Sequence, residues 1–248
     1  GNDINSTDAD GTILIGSQAG KYINSGIGNT AVGFEALKTN TTGNPNTAIG
    51  FRALYLNTTG GANTANGAYA LYNNTTAAYN TAVGQQALTA NTTGTNNTAT
   101  GYQTLYANTT GAQNTAVGKS SLSTNTTGGN NTAVGHNSLA ANITGTQNTA
   151  VGAYANWQNT SNNNTVVGYA AHYGSGAATQ NVAVGTVALF SVQAGGGNVA
   201  VGYNSQNALT SGAYNVGLGR DTLAANITGS FNVAVGAQSM VTSTGTTG

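Results

Sequence analysis

The sequence predicts an all-β fold, a parallel β-solenoid of 14 coils of about 17 residues, and three observations carry that prediction. First, a glycine returns every 17 residues from Gly16 through Gly33 to Gly236, with a single 16-residue step between Gly152 and Gly168. Second, the residues around it keep their types, as Asn29-Thr30-Ala31-Val32-Gly33 and Asn232-Val233-Ala234-Val235-Gly236 show. Third, 17 residues are too few for a pair of stacked helices, which takes about 33 or more, and suit short strands joined by turns. The coils fill residues 12 to 248 and leave residues 1 to 11 as an N-terminal joint or cap.

Each coil can be read in chain order. Four residues before the glycine stands Asn, as in Asn29, Asn46 and Asn63, with Thr12 as the exception in the first coil. Asparagine bonds readily to turn backbone and stacks on its own kind, so a structural Asn ladder is expected. Next comes Thr in the early coils and Val in the later ones, for example Thr30 against Val182, a β-friendly and partly buried position. The residue just before the glycine is mostly Val or Ile, as in Val32 and Ile49, and side-chain alternation assigns this column to the core. Gly33 and its equivalents then permit a turn that a Cβ would resist. Three residues on, the side chain is always small, as in Ala36 and Ala53, and the next is usually Leu, as in Leu37 and Leu54. Neighbours in a strand point oppositely, so both face inward only if the chain bends there; Leu is assigned inward. A second glycine, such as Gly43, closes a second turn, giving two short strands and two corners per coil.

Composition limits the partners. Charged residues make up 4% of the chain and balance to a formal charge of zero, so there is no field to hold nucleic acid or an acidic membrane surface. Cysteine is absent, which removes disulfides and thiolate metal sites. No apolar run approaches the roughly 20 residues of a membrane span, so no membrane insertion is expected. Asn, Thr and Gly in such quantity are compatible with disorder, but apolar residues held in register argue for a packed fold. The chain opens on Gly1, which reads as a processed or excised product.

The pattern resembles the head repeats of trimeric autotransporter adhesins, whose Asn-Ser-Val-Ala-Ile-Gly units form a left-handed parallel β-roll. Asn181-Val182-Ala183-Val184-Gly185 matches that unit best, as do residues 198 to 202 and 232 to 236. It is similar also to the Asn-Thr-Ala-Val-Gly-x-x-Ala-Leu repeats of phage tail-fibre-like and bacterial surface proteins. The resemblance implies a left-handed roll, homotrimerisation and a surface location. The coils here are longer than adhesin coils, with the extra residues in the Asn-Thr-Thr-Gly corner.

Little in the chain can be assembled into catalysis. The acids are Asp3, Asp8, Asp10, Glu35 and Asp221 and the imidazoles His136 and His172, and the repeat does not gather them. No enzymatic activity, cofactor or metal is expected. Asp8-Ala9-Asp10-Gly11 imitates a calcium loop but has Ser6 and Ser17 at its end positions, so an acidic turn is the preferred reading. Asn40, Asn57, Asn91, Asn108 and Asn125 each begin an Asn-x-Thr tripeptide and are candidate glycan acceptors, although the ladder alone generates the same pattern. The paired Thr41-Thr42 columns raise ice binding, yet adjacent threonines ending in glycine fit a corner better than a flat face. Aromatic residues form broken columns, with Trp157, Tyr169 and Tyr173 near the shortened coil as the expected contact region, preferred as a subunit seam over a glycan-stacking strip.

The expected function is that of an extracellular structural protein, at the cell or virion surface, self-associating into a filament or fibre with an adhesive role. The final coil, ending in Gly248, shows no cap, so end-to-end stacking on residues 1 to 11 is the expected contact. A homotrimeric adhesin head or phage tail-fibre segment binding a cell-surface receptor is the first alternative, and cell-surface glycans are a further candidate partner. An ice-binding protein is the second.

Overall fold

The computed structural model describes residues 11–158, 160–174 and 176–241. The joint proposed for residues 1–11 therefore lies outside the described residues except for Gly11, as do Asn159 and the last stretch of the final coil. The chain is an all-β parallel solenoid, and no helix occurs among the described residues. It divides into two compact units, residues 1–128 and 129–248. The first holds β1 (Ile13–Ile15), β2 (Thr30–Val32), β3 (Asn46–Ile49), β4 (Asn63–Asn66), β5 (Thr81–Val83), β6 (Thr98–Thr100) and β7 (Thr115–Val117). The second holds β8 (Thr132–Val134), β9 (Thr149–Val151), β10 (Thr165–Val167), β11 (Val182–Val184), β12 (Val199–Val201), β13 (Val216–Leu218) and β14 (Val233–Val235).

Within each unit every strand pairs in parallel with the next in the chain, and equivalent residues face each other. Thr30 pairs with Thr47 and Ala31 with Ala48 in the first unit, and Val199 pairs with Val216 in the second. The 16-residue step leaves this register intact, since Thr149 pairs with Thr165 and Thr165 with Val182. The missing residue is absorbed in a corner. Asn148 reaches the carbonyl of Ser161 thirteen residues on, whereas Asn131 reaches that of Gly145 fourteen residues on.

The structure overturns the assignment of Val32 and its column to the core. The inward residue is the middle one of each strand, alanine in all but three: Ala31, Ala48, Ala82 and Ala99 are fully buried, as is Val166 in β10, while Leu14 and Gly217 take the position in β1 and β13 and Ile49 is 38% exposed. A coil with Leu37 reaching across it leaves room on the opposite wall for little more than a methyl group. Where the reach changes, the wall changes with it. Gln206 replaces the usual Leu, and the strand residue it approaches is Gly217, whose added Cβ would lie 3.1 Å from the Gln206 amide nitrogen.

A second strand per coil was also expected, and among the described residues each coil has one. The segment after the glycine instead alternates handedness. Glu35 and Leu37 have φ of 55° and 52°, and the same pair of positions is left-handed in the following coils, as at Arg52 and Leu54. This bend lets adjacent Ala36 and Leu37 both face inward, and both are fully buried. It also redirects the backbone donors. The N–H groups of Gly33 and Glu35 donate to the preceding coil, at Ile15 and Ser17, whereas those of Leu37 and Thr39 donate to the following coil, at Ala53 and Tyr55. Inter-coil hydrogen bonding thus continues around the coil where regular strand geometry stops.

Two asparagine ladders finish the interior. Asn46 donates its amide nitrogen to the carbonyl of Gly60 at 2.9 Å, and its Oδ1 accepts the backbone N–H of Asn63 at 3.0 Å. The second ladder runs through Asn40, Asn57 and Asn74: Asn57 donates to Asn40 Oδ1 at 2.8 Å and to the Gly60 carbonyl at 2.9 Å. Where both ladders run, a corner carbonyl such as that of Gly60 accepts from both sides.

Candidate interaction surfaces

Because alanine points inward, the flanking residues of every strand point outward and build a two-column face. In the first unit one column holds Thr30, Thr47, Thr64, Thr81, Thr98 and Thr115, and the other Val32, Ile49, Asn66, Val83, Thr100 and Val117. In the second unit the first column passes from Thr132 and Thr149 to Val182, Val199 and Val216, beside Val151, Val167, Val201 and Leu218. No charged residue stands at any of these strand positions. Val201 and Leu218 are 36% and 38% exposed. Parallel sheets ordinarily have both faces covered, so an open apolar face is the main unexplained feature of the fold.

The candidate acceptors Asn40, Asn57, Asn91, Asn108 and Asn125 are placed in the interior, each fully buried. The amide nitrogen that would carry a glycan is the donor of the second ladder, as in Asn91 to Asn74 Oδ1 at 3.0 Å and to the Gly94 carbonyl at 3.0 Å. A sugar there would open the coil. The sequence signal is the ladder itself. The paired threonines lie at a corner: Thr41 Oγ1 donates to the Thr58 carbonyl at 3.0 Å, while Thr42 is exposed.

A charged cluster sits beside aromatic rings in the first unit. Glu35 accepts from Lys38 Nζ at 2.6 Å and from Arg52 Nε at 2.7 Å, with its side chain 7% exposed. The bond from Lys38, joined by that from Arg52, holds the Glu35 carboxyl below the usual range, and the same contacts raise Lys38 and Arg52. Arg52 lies over the rings of Phe51 and Tyr55 at 5.2 and 5.4 Å. Both oxygens of Glu35 are engaged, so the cluster staples two coils together.

His172 is fully buried. Desolvation lowers its pKa to about 4, so the imidazole is neutral. Among the described residues no three metal-binding side chains come together, and no helix is long and apolar enough to cross a membrane. The acidic turn at Asp8 and Asp10 lies outside the described residues.

In the second unit the structure brings together Trp157, Tyr169 and Tyr173. Trp157 and Tyr173 are 4.8 Å apart between centroids, Tyr173 stacks on Phe190 at 5.0 Å, and Tyr154 stands edge-on to Tyr169 at 6.1 Å. These rings border an open cleft of about 580 Å³. The sequence columns located the rings but not the cleft, which Asn137, Ala170 and Val187 line as well.

The fold and these surfaces define a β-solenoid repeat protein with an open apolar sheet face. Compared with protein-family models, curated proteins and solved structures, the chain matches none.

Proposed function

We propose that this is an extracellular structural protein that associates with copies of itself through the outer face of its sheet to build a fibre. The observation that carries the reading is the uncharged double column, β-branched at all but Asn66 and Leu218, left outside each unit. Burying such a face is worth roughly 25 cal/mol per Å² of apolar area. The partner best matched to it is a second copy, because rows repeating at the strand spacing of about 4.8 Å interdigitate with rows of the same period. The absence of net charge means that like copies do not repel. A trimeric adhesin head or tail-fibre segment is one form such self-association takes.

Analytical ultracentrifugation with negative-stain electron microscopy tests the proposal. The chain should sediment as an oligomer or fibre, and Val151→Lys with Val201→Lys should sediment as a folded monomer. A wild-type chain that stays monomeric at high concentration overturns it.

One observation favours a second reading. Thr81 and Val83 are two residues apart on one outward face, the flat alternate-residue geometry that the Thr41-Thr42 corner lacks. An ice-binding face has this form, and a monomer that halts ice growth until Thr81→Lys is introduced would replace self-association with ice binding.

A further inference from the structure

We propose that the aromatic cleft of the second unit is a binding site for a neutral glycan. The cleft exists because of Ala170. In other coils the position two residues after the glycine holds a larger side chain: Arg52, Tyr69, Gln86, Gln103, Tyr154 and Val187. Ala170 keeps the left-handed backbone of that position, φ 48° beside 61° for Gln86, while removing the side chain that would cover the neighbouring rings. What opens is bordered by the rings of Trp157, Tyr173, Tyr154 and Tyr169.

The rings meet at steep angles. Tyr154 stands at 85° to Trp157 and at 83° to Tyr169, so ring faces and ring edges both border the opening. The border is amphipathic in a specific way. The hydroxyls of Tyr154, Tyr169 and Tyr173, the indole N–H of Trp157 and the amide of Asn137 make no hydrogen bond to protein among the described residues. Apolar ring surface edged with unengaged neutral donors and acceptors is the chemical complement of a pyranose, which has C–H faces and a rim of hydroxyls.

Charge excludes the competing ligands. Residues 129 to 248 contain Arg220 and Asp221 as their charged side chains and neither borders the cleft, so neither a phosphate nor a nucleic acid finds a counter-charge among its lining residues. The volume of about 580 Å³ lies within the range of roughly 300 to 1,000 Å³ of small-molecule sites. A glycan site here is independent of the sheet face, so it stands or falls separately from self-association.

Trp157 is the single tryptophan of the chain, and its emission reports on the cleft directly. The full chain is titrated with three neutral hexasaccharides, a β-1,4-glucan, an α-1,4-glucan and a β-1,4-linked N-acetylglucosamine oligomer. At least one should give a saturable emission change. Ala170→Gln, which restores the side chain used at Gln86 and Gln103, should weaken that binding by at least about tenfold with an unchanged unfolding midpoint. Tyr173→Ala, followed by calorimetry, should do the same. The proposal is overturned if no hexasaccharide gives a saturable change, or if Ala170→Gln binds as tightly as wild type. It is equally overturned if Trp157 emission varies with protein concentration alone, because a second copy then occupies the cleft.

Discussion

Nδ1 of His172 lies 2.7 Å from Oδ1 of Asn156, and the two side chains occupy successive core positions that leucine fills in most coils. The other ring nitrogen, Nε2, lies 3.3 Å from the amide nitrogen of Asn181. This geometry suits a neutral ring protonated on Nδ1, donating to Asn156 and accepting from Asn181. A second proton, on Nε2, would point a donor at a donor.

Acid should therefore destabilise the second unit in a defined window. The folded chain holds His172 neutral down to about pH 4, whereas an unfolded histidine takes its proton near its ordinary value of 6.5. The unfolded state thus binds more protons between those values. Stability from this group is complete above pH 6.5, falls as pH drops and levels off near pH 4, a loss of about 3 kcal/mol. Thermal unfolding of the whole chain across this range should show the loss. Replacing both Asn156 and His172 by Leu, the residue of the other coils, should remove it, and a slope that survives the double substitution assigns the acid effect elsewhere.

The second asparagine ladder gives a prediction that depends on neighbours. Asn57 accepts from Asn74 and donates to Asn40 and to Gly60, so Asn57→Leu removes three buried bonds and strands Asn40 Oδ1, while the Gly60 carbonyl keeps Asn46 and the Asn74 amide keeps Ala77, at a cost on the order of 3 kcal/mol. In the second unit, Val192 and Leu209 occupy equivalent positions in successive coils and are fully buried, so two adjacent coils fill this column with apolar side chains. Replacing Asn91, Asn108 and Asn125 together with Leu should accordingly cost less per site than Asn57→Leu alone, as measured by urea unfolding midpoints. Equal costs per site would mean that the ladder bonds contribute independently.

How much of this was legible in the sequence follows from what a repeat reveals. A period fixes which residues stack, so the coil length, the parallel register and the Asn29 and Leu37 ladders could all be read. It does not fix which way a three-residue strand faces, and hydrophobicity chose Val32 over Ala31. The choice failed because coil width set by Leu37 limits the opposing side chain, and width is a property of two segments together. Left-handed residues at Glu35 and Leu37 left no composition signal, since non-glycine side chains occupy those positions. The Ala170 cleft was missed for a related reason: it is a change of size at a variable position.

The repeating glycine itself makes a graded test. Gly168 has φ +138°, and a Cβ there would lie 2.5 Å from the carbonyl oxygen of Gly185 in the next coil. Gly236 has φ +108° with nothing within 4 Å of such a Cβ. Backbone strain of about 1 to 3 kcal/mol applies to alanine at either position. Only Gly168→Ala adds a clash between two backbones, so it should destabilise well beyond Gly236→Ala in chemical unfolding. Similar losses would show that the torsion, and not the spacing of coils, demands glycine.

The inverted core predicts opposite outcomes for two neighbouring residues. Ala82 is fully buried between coils, and Val83 beside it points outward. Adding two methyl groups in Ala82→Val overpacks a wall that Leu88 already fills from the other side, at a cost of about 1 to 3 kcal/mol. Val83→Thr exchanges a methyl for a hydroxyl on the outer face, where Asn66 and Thr100 already stand in adjacent coils, and should change the stability of the isolated chain by less than about 0.5 kcal/mol. The two effects separate folding from assembly, because Val83→Thr should still weaken association if the outer face is the contact between copies. Unfolding and sedimentation of the same two variants measure both. A large loss of folding stability in Val83→Thr, with little in Ala82→Val, would return the valine column to the core.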